Sequence, residues 1–241
     1  MPSQRWIPLE SNPEWAYRVG VLESSAEFVD VYSLDEEMLK FVPEPVLAVV
    51  MLFPVGGTLE EVRKTEDAQL AEESAAKVDP TIFWMRQTIG NACGTIGLIH
   101  ALANCGVAFE PDCLFQRFLD RCKDLSPLER AKALETTDLF ASAHAEAAAG
   151  GQTIAPDASE DTNLHFTCFV RAPSAAERAS RVVADEIEMR LVELDGRRAG
   201  PVDRGVCNNL LQDTARHIQE NVIPHVKSMN LSLVALVGKR L

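Results

Sequence analysis

The segment Gln87-Thr-Ile-Gly-Asn-Ala-Cys93-Gly-Thr-Ile-Gly-Leu-Ile-His100-Ala-Leu102 sets one cysteine where a loop of small residues turns into an apolar helix. Gly90, Ala92 and Gly94 leave the sulfur open and the neighbouring backbone N–H groups uncovered. The N-terminal end of a helix carries partial positive charge, which favours thiolate over thiol. The same N–H groups suit the oxyanion of a tetrahedral intermediate. Free cysteine is also among the most buried residue types, so on this context alone Cys93 reads equally well as an inert core thiol. From Cys93 to Asn104 the residues are apolar nearly all round, as in a helix enclosed by other elements.

Upstream, Val46-Leu-Ala-Val-Val-Met-Leu-Phe53 is a short apolar run closed by Pro54 and Gly56-Gly57, which predicts a buried strand. Ser33-x-x-Glu36 and Ser126-Pro127-Leu128-Glu129 have the form of capping boxes and predict helices over 34–40 and 127–143. Residues 60–79, rich in charge and alanine, fit either a helix or a loop. Leu164–Val170, Met189–Asp195 and Leu231–Val237 predict strands. Mixed elements of this kind make a helix-flanked sheet.

A chain of 241 residues buries a substantial core, and no repeat or Pro/Gly linker divides it. The net charge is −13, and between Lys132 and Arg171 there is no Lys or Arg, while Glu135, Asp138, Glu146, Asp157, Glu160 and Asp161 are all acidic. Phosphate binding needs clustered Lys and Arg, so a nucleic-acid partner is not expected. An acidic face suits a basic protein partner, and equally serves plain solubility. The six cysteines form no CxxC or CxxxC pair, so no metal site and no cofactor are expected. The opening residues lack the apolar core of a signal peptide, and the longest apolar run is too short to span a bilayer. The expectation is reduced thiols in a monomer without membrane association, in the cytoplasm or also the nucleus.

A cysteine nucleophile needs a base and a group to orient that base. Of the five histidines, His100 lies on the apolar helix and reads as a satisfied core residue. His144 ends a helical stretch, and His217 and His225 fall among polar residues. His165 opens an apolar strand, from which a side chain can point into a cleft, although position alone favours a structural role. A register that pairs Val170 with Arg190 sets His165 opposite Asp195, within carboxylate–imidazole reach. Asp195-Gly196 is also an ordinary turn dipeptide, and an aspartate ending a strand can cap the turn and face the histidine together.

The run from Gln87 to Leu102 resembles the active-site signature of the ubiquitin carboxyl-terminal hydrolases, a family of papain-like cysteine proteases. Further segments match in order: Arg5-Trp-Ile-Pro8-Leu9-Glu10-Ser-Asn-Pro13, Phe28-Val-Asp30-Val-Tyr32, Val42-Pro-Glu-Pro-Val46, Ser126 to Ala131, Gly151-Gln152-Thr153, Leu164-His165-Phe166 and Glu193-Leu-Asp195-Gly-Arg197. The resemblance implies an α+β fold over 1–241 as one catalytic domain, with a central, mostly antiparallel sheet between helical layers and a knotted backbone. It implies Cys93 as nucleophile, His165 as general base and acid, Asp195 as the group orienting the imidazole, and Gln87 as an oxyanion-hole donor. Ubiquitin becomes the expected partner, with Pro8, Leu9, Glu10, Asp30 and Gln152 as expected substrate contacts. In this family the triad can stand slightly apart until ubiquitin binds.

Residues 145–162 match the family's crossover loop above the active site. Fully extended they span about 60 Å, hence a ring of about 20 Å diameter, too narrow for a folded domain approaching about 30 Å. Short or disordered adducts are therefore the expected substrates. Two departures stand out. Arg171 to Arg190 replaces a turn of a few residues, at the hairpin's far end about 17 Å from His165 at strand rise, and Val192 stands where an aromatic residue is usual. The absence of a C-terminal extension argues against the larger, proteasome- or chromatin-docking members. The competing reading is a non-catalytic protein that binds and sequesters ubiquitin or a ubiquitin-like modifier.

Overall fold

The structure, a computed structural model, describes residues 6, 14–72, 81–137, 140–142, 145–146, 163–174, 187–226 and 230–239. Pro8, Leu9, Glu10, His144, Gln152 and all but two residues of the expected crossover loop lie outside these. A six-stranded sheet is built from β1 (Ala26–Val31), β2 (Val46–Pro54), β3 (Leu164–Pro173), β4 (Met189–Leu194), β5 (Val202–Val206) and β6 (Ser232–Gly238), in the spatial order β1-β6-β2-β3-β4-β5. Every pairing is antiparallel. The helices α1 (Glu14–Arg18), α2 (Glu36–Leu39), α3 (Gly57–Glu72), α4 (Cys93–Ala103), α5 (Leu114–Cys122), α6 (Pro127–Glu135) and α7 (Leu210–Asn221) accompany it, and residues 140–142 and 145–146 are helical as well. The fold class is α+β, as the sequence leads one to expect.

β2 is apolar throughout because both of its faces are covered. Ala48 and Val50 join the core that holds α4, whereas Val49, Met51 and Phe53 join a second core with Leu210, Leu211, Ala215 and Ile218 of α7. Alternating side chains of one strand thus serve two layers. On α4, Ile96, Ile99 and Leu102 are buried, and each such side chain contributes about 1.5–3 kcal/mol by leaving water. Gly97 faces the sheet, and a Cβ placed there would stand in ordinary contact, 3.6 Å from Phe166 and from Val50.

The Ser126 capping box forms as predicted: Ser126 Oγ accepts the Glu129 N–H and Glu129 Oε2 accepts the Ser126 N–H at 2.8 Å. α6 nevertheless ends at Glu135 rather than near 143. Thr136 and Thr137 turn their hydroxyls onto the Lys132 and Ala133 carbonyls, competing with the helix ladder. The other predicted box does not form. Ser33 Oγ is spent on Asp35, which becomes the N-cap of a four-residue α2. Of the ambiguous charged stretch 60–79, residues 60–72 are helix, within α3, and 73–79 lie outside the described residues.

Two further expectations need correction. β3 and β4 pair with Val170 opposite Val192 and Cys168 opposite Leu194, so His165 is not directly across from Asp195. The strands also run on past Arg171, with Ala172 opposite Arg190 and Pro173 opposite Met189. The insertion therefore starts later than 171 and stands about 27 Å from His165 at strand rise.

Candidate active site

Cys93 is the first residue of α4, after a backbone reversal at Asn91, whose φ of 60° is one that asparagine tolerates. Ala92, at the N-cap, has no side-chain oxygen to offer the first turn. The loop is held from two sides: Trp6 N–H donates to the Gly90 carbonyl at 2.9 Å, and Gln87 N–H to the Gly196 carbonyl at 2.8 Å.

His165 opens β3, paired with Phe53 of β2, whose ring meets the imidazole edge-on at 5.7 Å. Asp195 follows the last residue of β4. In the observed register it is a diagonal neighbour of His165, and such neighbours still fall within reach of longer side chains. Nε2 of His165 meets Asp195 Oδ1 at 2.7 Å. The same Oδ1 accepts the Arg197 N–H at 2.8 Å, so Asp195 caps its own turn while facing the histidine. Trp84 Nε1 donates to the Asp195 carbonyl at 3.0 Å and fixes the backbone there.

With Nε2 committed to Asp195, Nδ1 of His165 is buried and closes no hydrogen bond of ordinary geometry. It is the nitrogen left for the thiol. Burial pushes the Cys93 thiol up, but the adjoining His165 imidazole, the Phe166 N–H and the Arg197 charge outweigh it and hold the thiol below its ordinary value. Burial pulls His165 down, yet the Asp195 charge and hydrogen bond, with Cys93, raise it to about 9. Asp195 would be pushed up by burial; His165 and Arg63 bring it down to about 2. Opposite shifts of this kind favour the thiolate–imidazolium pair over the neutral pair, as an activated cysteine requires. Cys105, Cys122 and Cys207, by contrast, are pushed by burial to about 12, 11 and 11.

Gln87 lies between these elements. One amide hydrogen of Nε2 goes to the Ile89 carbonyl at 3.2 Å, while Oε1 is buried without a partner. The structure thus brings Cys93, His165, Asp195 and Gln87 into one locality. It does not bring Asp30 there. Asp30 is on β1, three strands away from β3, a lateral separation of about 14 Å. It borders a separate cleft of about 460 Å³ with Tyr32, Met38 and Phe41, all exposed.

His100 is the core histidine expected: Nε2 accepts the Met85 N–H at 3.1 Å and burial lowers it to about 4, so it stays neutral. His217 departs from expectation. It is half-buried against Phe169 and lowered to about 4, by burial first and by Arg204 next. Its neighbourhood is a cluster of charges that sequence patterning did not reveal. Arg63 of α3 pairs with Asp195 Oδ2 and, at 3.3 Å, with Glu193. Arg198 bonds Glu66 and Asp67, each at 2.7 Å, and Arg204 bonds Glu66 and, at 2.5 Å, Glu193. In sequence these α3 residues look like a solvated charged face.

A thiol poised on an imidazole, itself held by a carboxylate, on a helix-flanked antiparallel sheet, is the construction of a cysteine hydrolase. The family model described as "Ubiquitin carboxyl-terminal hydrolase, family 1" matches residues 6–223. Ubiquitin carboxyl-terminal hydrolase 3 of Arabidopsis thaliana is 36% identical over 242 residues, covering 97% of this chain and 94% of its own. The isozyme L1 of Equus caballus is 36% identical over 236 residues, covering 95% and 96%. Among solved structures, the Trichinella spiralis UCH37 catalytic domain bound to ubiquitin vinyl methyl ester superposes with a TM-score of 0.67 at 19% identity, covering 98% and 96%. The chain belongs to the ubiquitin carboxyl-terminal hydrolase family, and it is a cysteine-type hydrolase.

Proposed function

We propose that this chain hydrolyses small or unstructured adducts from the C-terminal glycine of ubiquitin through a thioester on Cys93. The observation that carries the reading is His165 set between the Cys93 thiol and Asp195, with Asp195 Oδ1 at 2.7 Å. The Cys93 thiolate attacks the glycine carbonyl. The oxyanion is taken by N–H groups at the start of α4 and by the amide hydrogen that Gln87 Nε2 does not spend on Ile89. His165 passes its proton to the leaving amine, which departs and leaves the thioester. Water then adds to the thioester as His165 takes its proton, and the thiolate leaves.

Asp195 keeps the imidazole oriented throughout and balances its charge. Ubiquitin as partner is supported by the relatives and by the ubiquitin-bound structures of similar fold. Its expected contacts are Pro8, Leu9, Glu10 and Gln152, with Asp30 serving a surface away from the triad. The restriction to small or unstructured adducts rests on the length of the 145–162 segment.

The test is release of an aminocoumarin from the C-terminus of ubiquitin by wild type, Cys93→Ala and His165→Ala. Turnover by wild type and its loss, by about 10³-fold or more, in both variants is expected. Tight ubiquitin binding without turnover in any form would replace the enzyme reading with the sequestering one.

A further inference from the structure

We propose that Arg63 is a positioning residue for this site: it grips the free oxygen of Asp195 and the carboxylate of Glu193 at once, and so fixes the carboxylate that orients His165. The inference rests on the proposed hydrolase reading for its catalytic consequence, though not for its geometry.

Asp195 has two carboxylate oxygens and divides them. Oδ1 serves His165 and the Arg197 N–H, and Oδ2 serves Arg63. Without a partner on Oδ2, a buried carboxylate could rotate about its terminal torsion, which is soft. Arg63 removes that freedom because its planar fork is itself fixed at two other points. One arm goes to Glu193 at 3.3 Å, and the guanidinium lies 5.0 Å over the Phe53 ring, the ring that also packs on His165. α3, imidazole and carboxylate are thereby tied into one unit. A lysine carries its three donors on one nitrogen at the end of a flexible stem, so it would not hold the two carboxylates at the spacing the fork sets.

The charge of Arg63 also matters, because among the described residues no other arginine is bonded to Asp195 Oδ2. Arg198 and Arg204 are already committed to Glu66, Asp67 and Glu193. From α7, His217 is neutral, and from α4, His100 is neutral as well. Arg197 reaches Cys93 by its charge, but its side chain is exposed. Removing the Arg63 charge leaves the pocket of Cys93, His165 and Asp195 one unit more negative. The thiolate then forms at higher pH and the imidazolium persists to higher pH, so both limbs of a rate profile move the same way.

The experiment compares wild type, Arg63→Gln and Arg63→Lys in two assays across pH: hydrolysis of ubiquitin aminocoumarin, and alkylation of Cys93 by iodoacetamide, followed by mass spectrometry of its peptide. Expected for Arg63→Gln is an upward move of both limbs by about one pH unit and a kcat lowered about 10- to 100-fold with KM within about two-fold. Arg63→Lys should keep the limbs in place while kcat still falls at least about five-fold, because the two-point grip is lost.

If Arg63→Gln does not fold, as circular dichroism will tell, Arg63→Lys decides the matter by its kcat alone. Unmoved limbs in a folded Arg63→Gln, or wild-type kcat in Arg63→Lys, overturn the proposal. Alkylation needs no substrate. A shifted alkylation profile with no hydrolysis by any form leaves the positioning role standing and removes the hydrolase reading instead.

Discussion

Gly196 lies directly on Gln87: its carbonyl accepts the Gln87 N–H at 2.8 Å, and a Cβ placed on it would stand 3.0 Å from both the backbone nitrogen and the Cβ of Gln87. The turn after Asp195 and the loop leading to Cys93 are thus in backbone contact, and only glycine allows it. Gly196→Ala is expected to push the two apart, costing about 1–3 kcal/mol of stability by overpacking. Gln87 need give by only a few tenths of an ångström, so kcat is expected to fall by up to about 10-fold, less than the roughly 100-fold of a misplacement near 1 Å. Urea unfolding together with kcat on ubiquitin aminocoumarin checks both numbers.

The opposite shifts of Cys93 and His165 set the pH window. Activity is expected to rise as the thiolate forms below the ordinary thiol range, then fall as the imidazolium loses its proton near pH 9. The stability sign follows from the raised histidine. Its contribution is complete below its ordinary value of 6.5 and is lost as pH climbs through about 9. A kcat/KM profile and a melting series from pH 6 to 10 measure the two effects separately.

Glu193 is buried at 2% exposure among Arg63, Arg198 and Arg204, and their charges hold it well below the usual carboxylate range despite the burial that would raise it. Glu193→Gln removes the counter-charge of three arginines and is expected to cost about 3–5 kcal/mol. The stability that Glu193 confers is present above the ordinary carboxylate range and lost as pH falls below it. The variant should therefore show a shallower loss of stability between pH 5 and 2, read from chemical denaturation at each pH.

Replacing 175–186 by a short turn is expected to leave turnover of ubiquitin aminocoumarin within about two-fold. β3 and β4 remain paired out to Pro173 and Met189, eight residues beyond His165, so the site does not depend on how the hairpin is closed. A drop beyond ten-fold in a stably folded variant would show that the segment reaches the substrate.

How far these features can be read in sequence depends on how local their causes are. β2, α4 and the Ser126 cap are written in contiguous residues, and each was legible. The β3–β4 register was not, because a long connection cannot impose the register that a tight turn would; the true pairing is offset by two residues, and Asp195 meets His165 diagonally. Its parity was preserved, which is why the His165–Asp195 pair forms despite the wrong register. Arg63, Glu66 and Asp67 were illegible for another reason. Their burial comes from Glu193, Arg198 and Arg204, about 130 residues away along the chain, so α3 by itself has the pattern of a solvated helix.

The enclosure of the triad has a consequence for the chemical lifetime of the protein. A thiol with a lowered pKa is ordinarily the first to be oxidised by peroxide, through sulfenic to irreversible sulfinic acid. Here Cys93 is 8% exposed and His165 1%. A peroxide molecule must enter a nearly closed site to reach the sulfur. The same packing that orients the imidazole is therefore expected to slow the oxidation of Cys93 by peroxide, relative to an equally acidic thiol on the surface.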